Sequence, residues 1–351
     1  TIRASGHSLH CTKLTMLCRA LLALAACSSA AAFKRDDHRI TGLMIAVYTP
    51  MKNGGLELDL DRIPAYAEYL VKNNISKVMP AGSNGESLSL SLAERKALAE
   101  AWGKAALKTN LRVYMHVGSE SLVDSIELAK HASTTAGIYG VLAMTPVYFK
   151  PTVQSLHDFL AAIANAVPET PFWFYHFPDD TGVLPGGAHK FLDLAEKSGQ
   201  MPNLMGIKFT DYNLMDFQGC LQVGHYKKYN MLFGRDEMAL AALEVGADAA
   251  VSSTAQFSAT LRNVISAYAE GDEEKSKKAQ LLNANMCSTF GKFEGDINVQ
   301  KNIMKMVGMD VGPSRLPKRD FTGDEYNTYE KELVSAGYIE KADWLTPVVQ
   351  V

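Results

Sequence analysis

The sequence predicts an α/β fold, a (β/α)8 TIM barrel with a C-terminal helical extension. Three observations lead there. Eight short apolar runs lie between Thr41 and Ser253, each separated from the next by a longer amphipathic segment. Most of these runs are apolar on both faces, as strands of a covered parallel sheet must be. Beyond Ser253, helical patterns succeed one another with no strand between them.

The strand candidates are residues 43–48, 77–80, 111–117, 141–144, 171–176, 204–209, 231–233 and 248–252. Between them, residues 60–72 place Ile63, Ala67 and Leu70 on one helical face. Residues 92–106 follow a capping box, Ser91 with Glu94, whose side chains satisfy each other's backbone donors. Residues 122–136 start in the same way from Ser121, with Asp124 three positions on. Residues 155–166, 188–197, 214–223 and 238–245 complete the helical set. Such alternation implies β-α-β units with right-handed crossovers, and eight of them close into a barrel. Residues 257–269, 275–290, 299–306 and 324–335 read as the extension. The expected organisation is a leader over 1–38, the catalytic barrel over 39–256 and the helical extension of the same domain over 257–351.

Composition narrows the function. The 351 residues are 47% hydrophobic, enough for a large core. Basic and acidic residues number 35 and 38, for a net charge of −3. Neither sign dominates, so nucleic acid is not an expected partner, nor is a membrane beyond a possible leader. Five cysteines and nine histidines show neither a disulfide framework nor a metal-ligand spacing, so no metal is expected. No Gly-x-Gly-x-x-Gly or Gly-Lys-Ser/Thr loop signals a nucleotide. Residues 20–26 resemble a signal-peptide core followed by small residues. Leu24-Ala25-Ala26-Cys27 resembles a lipoprotein box, and Ala31-Ala32-Phe33 an algal plastid leader, so routing stays open among secretory, lipoprotein and plastid, and is otherwise cytoplasmic. Asn74-Ile75-Ser76 is a glycosylation sequon that matters only on a secretory route.

Lys208 stands out because it lies in an apolar run, Met205-Gly206-Ile207-Lys208-Phe209-Thr210. Burial disfavours the ammonium form, and a neutral amine attacks carbonyl carbon to give a Schiff base. Read alone, it is an ordinary lysine whose stem reaches water. Four clusters at strand ends keep it company, where barrel chemistry sits. Ala81-Gly82-Ser83-Asn84-Gly85-Glu86-Ser87 can aim backbone N–H groups at a carboxylate, or be a plain Gly/Asn turn. Phe172 to Pro178 carries Tyr175, which fits core packing and also a proton shuttle. Thr145 to Pro151 stiffens a loop bearing Tyr148, a surface or interface aromatic. Phe233-Gly234-Arg235-Asp236-Glu237 and Ser252-Ser253-Thr254 offer acids and hydroxyls that suit helix capping and a polyhydroxylated ligand alike.

Three of these segments carry a resemblance. Gly82-Ser83-Asn84-Gly85-Glu86, Tyr175-His176-Phe177-Pro178 and Gly206-Ile207-Lys208-Phe209-Thr210 resemble, in order, the motifs of the pyruvate-dependent class I aldolases. That family includes N-acetylneuraminate lyase and dihydrodipicolinate synthase. The resemblance runs from about Thr41 to about Ala342. Gly206 to Asp211 with Leu214, Gly234 to Glu237 and Gly312 to Pro317 resemble the lyase subfamily. The resemblance implies a carbon–carbon lyase that cleaves N-acetylneuraminate to pyruvate and N-acetylmannosamine. Lys208 would form the Schiff base and Tyr175 would shuttle the proton. Tyr148 is similar to a tyrosine that family members insert across a subunit interface. Ser83 and Asn84 would hold the carboxylate, while Thr210, Gly234, Asp236, Glu237 and Ser253 would hold the sugar. No cofactor is implied beyond the covalent lysine adduct, and a homotetramer is. Asn84 and Ala255 depart from the lyase pattern, and Asp180 stands where the synthases usually carry an arginine. They leave 4-hydroxy-2-oxoglutarate and 2-keto-3-deoxy sugar acids open as substrates, with dihydrodipicolinate synthesis disfavoured by Asp180. A sugar-acid binding protein without turnover is the alternative outside enzymes.

Overall fold

The computed structural model describes Thr1, residues 35–292 and residues 296–340. The chain divides into a unit over Thr1–Asp37 and one over His38–Val351. The expected leader over 1–38 lies almost entirely outside the described residues, as do the last residues of the expected extension. Among the described residues, no helix is long and apolar enough to cross a membrane.

Eight parallel strands close into a barrel: β1 Gly42–Ile45, β2 Lys77–Val78, β3 Arg112–His116, β4 Ile138–Met144, β5 Phe172–His176, β6 Leu204–Phe209, β7 Asn230–Phe233 and β8 Ala249–Ser252. Their spatial order follows the chain, and β1 pairs with both β8 and β2 to seal the cylinder. The strands are shorter than several apolar runs, because the ends of those runs leave the ladder to become loops at the barrel rim. A two-stranded antiparallel hairpin, Met51–Lys52 with Glu57–Leu58, follows β1 and has no counterpart among the predicted elements.

Strand parity decides which residues face the interior. Trp173 on β5 meets Tyr114 at 5.5 Å between ring centroids and donates to the Asn230 side chain at 3.2 Å. Its neighbour Phe174 points the other way, onto Phe191 of the helix Ala188–Ser198, with centroids 4.6 Å apart. Both phenylalanines are fully buried, and each such side chain contributes about 1.5–3 kcal/mol by leaving water. Two residues after Trp173, Tyr175 therefore points inward again at the C-terminal end of β5. It sits in register with Lys208 on β6. Parallel pairing has thus set the two side chains next to each other.

The outer helices start where their caps predict. Ser91 and Glu94 form the expected capping box before Leu92–Thr109. Ser121 accepts from the Asp124 amide to open Leu122–Thr134. After β8 come Thr260–Glu270, Glu273–Cys287, Ile297–Met306 and Gly323–Ser335, the helices expected beyond the last strand. One of them reaches back to the barrel mouth. Lys301 is buried, and its Nζ lies 3.1 Å from Glu86 in the loop after β2.

Candidate active site

A cavity of about 700 Å³ opens at the C-terminal ends of the strands. Nine residues singled out from the sequence line it: Ser83, Asn84, Tyr175, Lys208, Thr210, Gly234, Asp236, Glu237 and Ser253. Tyr148 does not. It is 78% exposed, and its ring packs edge-on against the equally exposed Phe149 at 4.9 Å.

Lys208 lies at the bottom, 2% exposed, with its Nζ 3.6 Å from the centroid of the Tyr175 ring. Burial lowers its pKa to about 7. Asp236 works against that shift and Arg235 works with it. A substantial share of the amine is therefore neutral near pH 7, where a surface lysine is almost wholly protonated. Burial raises the Tyr175 phenol well above its ordinary range, against a lowering contribution from its hydrogen bond with Ser83. Its hydroxyl lies 2.9 Å from Ser83 Oγ. The phenol thus stays protonated and can accept one proton only while passing its own to another acceptor.

The loop that bears Ser83 is sharply folded. Ala81 and Glu86 both adopt left-handed backbone conformations, with φ of 55° and 57°. A Cβ on Gly85 would lie 2.7 Å from the Ala81 nitrogen, so the turn closes only with glycine there. The Glu86 amide donates to the Ser83 carbonyl at 2.9 Å. Thr49 Oγ1 donates to the Gly85 carbonyl at 2.7 Å. The amides of Ser83 and Asn84 donate to no described residue. Two uncommitted N–H groups beside a buried amine make a cradle for a small carboxylate. Glu86 is not part of the cradle. It takes Lys301 Nζ on one oxygen and the Arg315 amide, at 2.8 Å, on the other.

The far wall comes from the loops after β7 and β8. A Cβ on Gly234 would lie 2.1 Å from Thr210 Oγ1 and 3.4 Å from Lys208 Cε, so glycine leaves room for both side chains. Thr210 Oγ1 is buried and has no hydrogen-bond partner among the described residues. Asp236 is buried, and its carboxylate accepts from Ser252 Oγ at 2.8 Å and the Thr254 amide at 2.9 Å. Burial raises its pKa to about 6. Glu237 accepts from the Tyr212 hydroxyl at 2.6 Å. The departures from the family patterns now have places. Asp180 lines the cavity, whereas Ala255 is fully buried and donates its amide to Ser252 Oγ at 2.9 Å.

His176, Asp211 and Asp216 gather within 4.8 Å, outside the barrel wall. Asp216 commits its oxygens to the amides of Ala188, at 2.9 Å, and His189, at 3.0 Å, and to His189 Nδ1. That carboxylate serves as an anchor for the helix Ala188–Ser198. His176 and Asp211, 3.6 Å apart, join the ends of β5 and β6.

Two parts of the site had no role in the sequence reading. Lys301 sits in a helix with no local signal of its purpose. Arg235 is the one basic residue of Gly234-Arg235-Asp236-Glu237, and that contrast was its only signal.

The model of the dihydrodipicolinate synthetase family matches residues 39–336. N-acetylneuraminate lyase A of Xenopus laevis is 36% identical over 284 residues, covering 80% of this chain and 90% of that one. The human N-acetylneuraminate lyase is 33% identical over 309 residues, covering 87% and 95%. Among solved structures, the N-acetylneuraminate lyase of Aliivibrio salmonicida superposes with a TM-score of 0.79 at 30% identity. That match covers 86% of this chain and 98% of that one. The Proteus mirabilis lyase gives 0.78 at 29%, covering 86% and 100%. The chain belongs to the dihydrodipicolinate synthetase family.

Proposed function

We propose that this protein is a carbon–carbon lyase that cleaves N-acetylneuraminate to pyruvate and N-acetylmannosamine through a Schiff base on Lys208. One observation carries the reaction. A buried amine with a pKa near 7 lies against the Tyr175 ring, next to a loop with two uncommitted amides. Kinship with N-acetylneuraminate lyases supports the substrate. The charge of the cavity supports it too. Asp180, Asp236, Glu237 and Asp296 face Arg235 and Lys318, so the distal wall is net acidic. Carboxylates accept from sugar hydroxyls, and they repel the second carboxylate of a 4-hydroxy-2-oxoglutarate.

The open-chain sugar acid docks its carboxylate on the Ser83 and Asn84 amides. Neutral Lys208 Nζ adds to the C2 ketone, and the resulting carbinolamine takes up a proton from solvent and loses water to give an iminium. Tyr175 accepts the C4 hydroxyl proton while passing its own to the substrate carboxylate. The C3–C4 bond breaks, its electron pair moves into the iminium, and N-acetylmannosamine departs as an aldehyde. The resulting enamine takes a proton back at C3 through Tyr175. Water then hydrolyses the iminium, releasing pyruvate and Lys208. Thr210, Gly234, Asp236, Glu237 and Ser253 frame the sugar hydroxyls. The exposed Tyr148–Phe149 pair fits a homotetramer in which each Tyr148 completes a neighbour's site.

Borohydride in the presence of pyruvate tests the first step. A stable adduct on the Lys208 peptide is expected, and an unmodified peptide rejects the mechanism. A coupled pyruvate assay tests the substrate. It would compare N-acetylneuraminate, 4-hydroxy-2-oxoglutarate and 2-keto-3-deoxy sugar acids, with N-acetylneuraminate expected to give the highest kcat/KM.

A further inference from the structure

The geometry points to Arg235 as the residue that selects an N-acyl sugar acid, by donating to the acyl carbonyl oxygen. The inference deepens the functional reading above and rests on it. Arg235 lines the cavity from the loop after β7, and its side chain is 15% exposed. Its guanidinium carbon lies 4.2 Å from the centroid of the Tyr212 ring and 5.1 Å from that of Phe177. Its Nη2 pairs with Asp179. Those partners come from the loops after β5 and β6, so three loops hold one planar cation in place.

The chemistry of the wall assigns the ligand atom. Asp180, Asp236 and Glu237 are acceptors, and each can accept a hydrogen bond from a hydroxyl. Arg235 is the opposite, since a guanidinium donates and never accepts. Among the described residues it has a single hydrogen-bond acceptor, Asp179, which leaves donors uncommitted. A hydroxyl can be served by the acids. A neutral carbonyl oxygen accepts only, and the distal half of an N-acylated sugar acid carries one, on its amide. The Phe177 ring, which lines the cavity beside the guanidinium, offers an apolar surface that suits the acyl methyl group. A second carboxylate would also seek a donor, but it would have to sit among the acids.

The test compares wild type, Arg235→Met and Arg235→Lys on two substrates. One is N-acetylneuraminate. The other is the same nine-carbon keto acid with a hydroxyl in place of the acetamido group. The readout is the ratio of their kcat/KM values. A ratio is needed because Arg235 also acts on the Lys208 amine, and that effect falls equally on both substrates. In Arg235→Met the ratio should fall about 10- to 100-fold, the worth of one hydrogen bond to a charged donor. Arg235→Lys, which keeps the charge and loses the planar fork, should fall between. Borohydride trapping of pyruvate on Lys208 in each variant confirms a folded site. A ratio within twofold of wild type in Arg235→Met overturns the role of Arg235 alone. A wild type that cleaves neither compound overturns the functional reading and this inference with it.

Discussion

The two halves of the cavity are built differently. The half around Lys208 comes largely from strands. Tyr175 and Lys208 are almost fully buried and held in register by the β5–β6 ladder. The other half comes from loops. Asp179, Asp180 and Tyr212 are exposed, and Arg235 is partly so. Strand parity fixes a side chain within a fraction of an ångström, as covalent chemistry needs. Loop residues can change without disturbing the ladder, so they can change which sugar is accepted while the reaction stays the same.

The largest expected effect breaks the near half. Lys208→Met keeps an unbranched apolar stem in the same sheath, so the fold should persist. Turnover should drop to background, and borohydride should trap nothing. Residual turnover near wild type would assign the nucleophile elsewhere. Tyr175→Phe should follow with a loss in kcat of about 10²–10⁴-fold, the usual share of a proton-transfer group. It should still trap pyruvate, because the iminium forms without the phenol. Equal loss of trapping and turnover would make Tyr175 a packing residue only.

A third variant asks whether the carboxylate loop is rigid because the C-terminal helices hold it. Glu86→Gln preserves shape and removes the charge facing Lys301. The ammonium is then left among neutral carbonyls, those of Thr49 at 3.0 Å and Pro313 at 2.6 Å. Breaking a buried pair in this way costs about 3–5 kcal/mol. A lower urea midpoint with unchanged slope would register it. An unchanged midpoint would show that the loop holds itself.

Much of this was legible in the chain. The barrel could be read because most of its strand runs are apolar on both faces and its helices carry explicit caps, Ser91 with Glu94 above all. Tyr175 and Lys208 could be read because each is a polar residue within an apolar run, one position before the strand ends. The hairpin after β1 was not legible, since two-residue strands leave no period to detect. The Glu86–Lys301 pair was not either, because 215 positions separate its members. Arg235 shows a third kind of gap. Its identity was plain, but its meaning depends on Asp179, Tyr212 and Phe177 arriving from other loops.

The smallest expected effect is the one that joins the two halves. The acid limb of kcat/KM reports ionisations of the free enzyme. Lys208, with a pKa of about 7, should set it, and activity should fall tenfold per pH unit below that point as the amine protonates. Asp236 favours the ammonium, so Asp236→Asn should lower the lysine pKa and move the limb to lower pH. Arg235 disfavours the ammonium, so Arg235→Met should move the limb to higher pH. Each displacement should amount to about one unit or less, the scale of a single charge interaction across a partly screened site. The Asp236 effect should be confined to pH above about 6, because below that value the buried carboxyl is itself protonated and no longer holds the ammonium. Opposite movements would show that loop charges tune the strand-borne nucleophile as well as read the sugar. A limb that ignores both substitutions would mean that the group it reports is not Lys208.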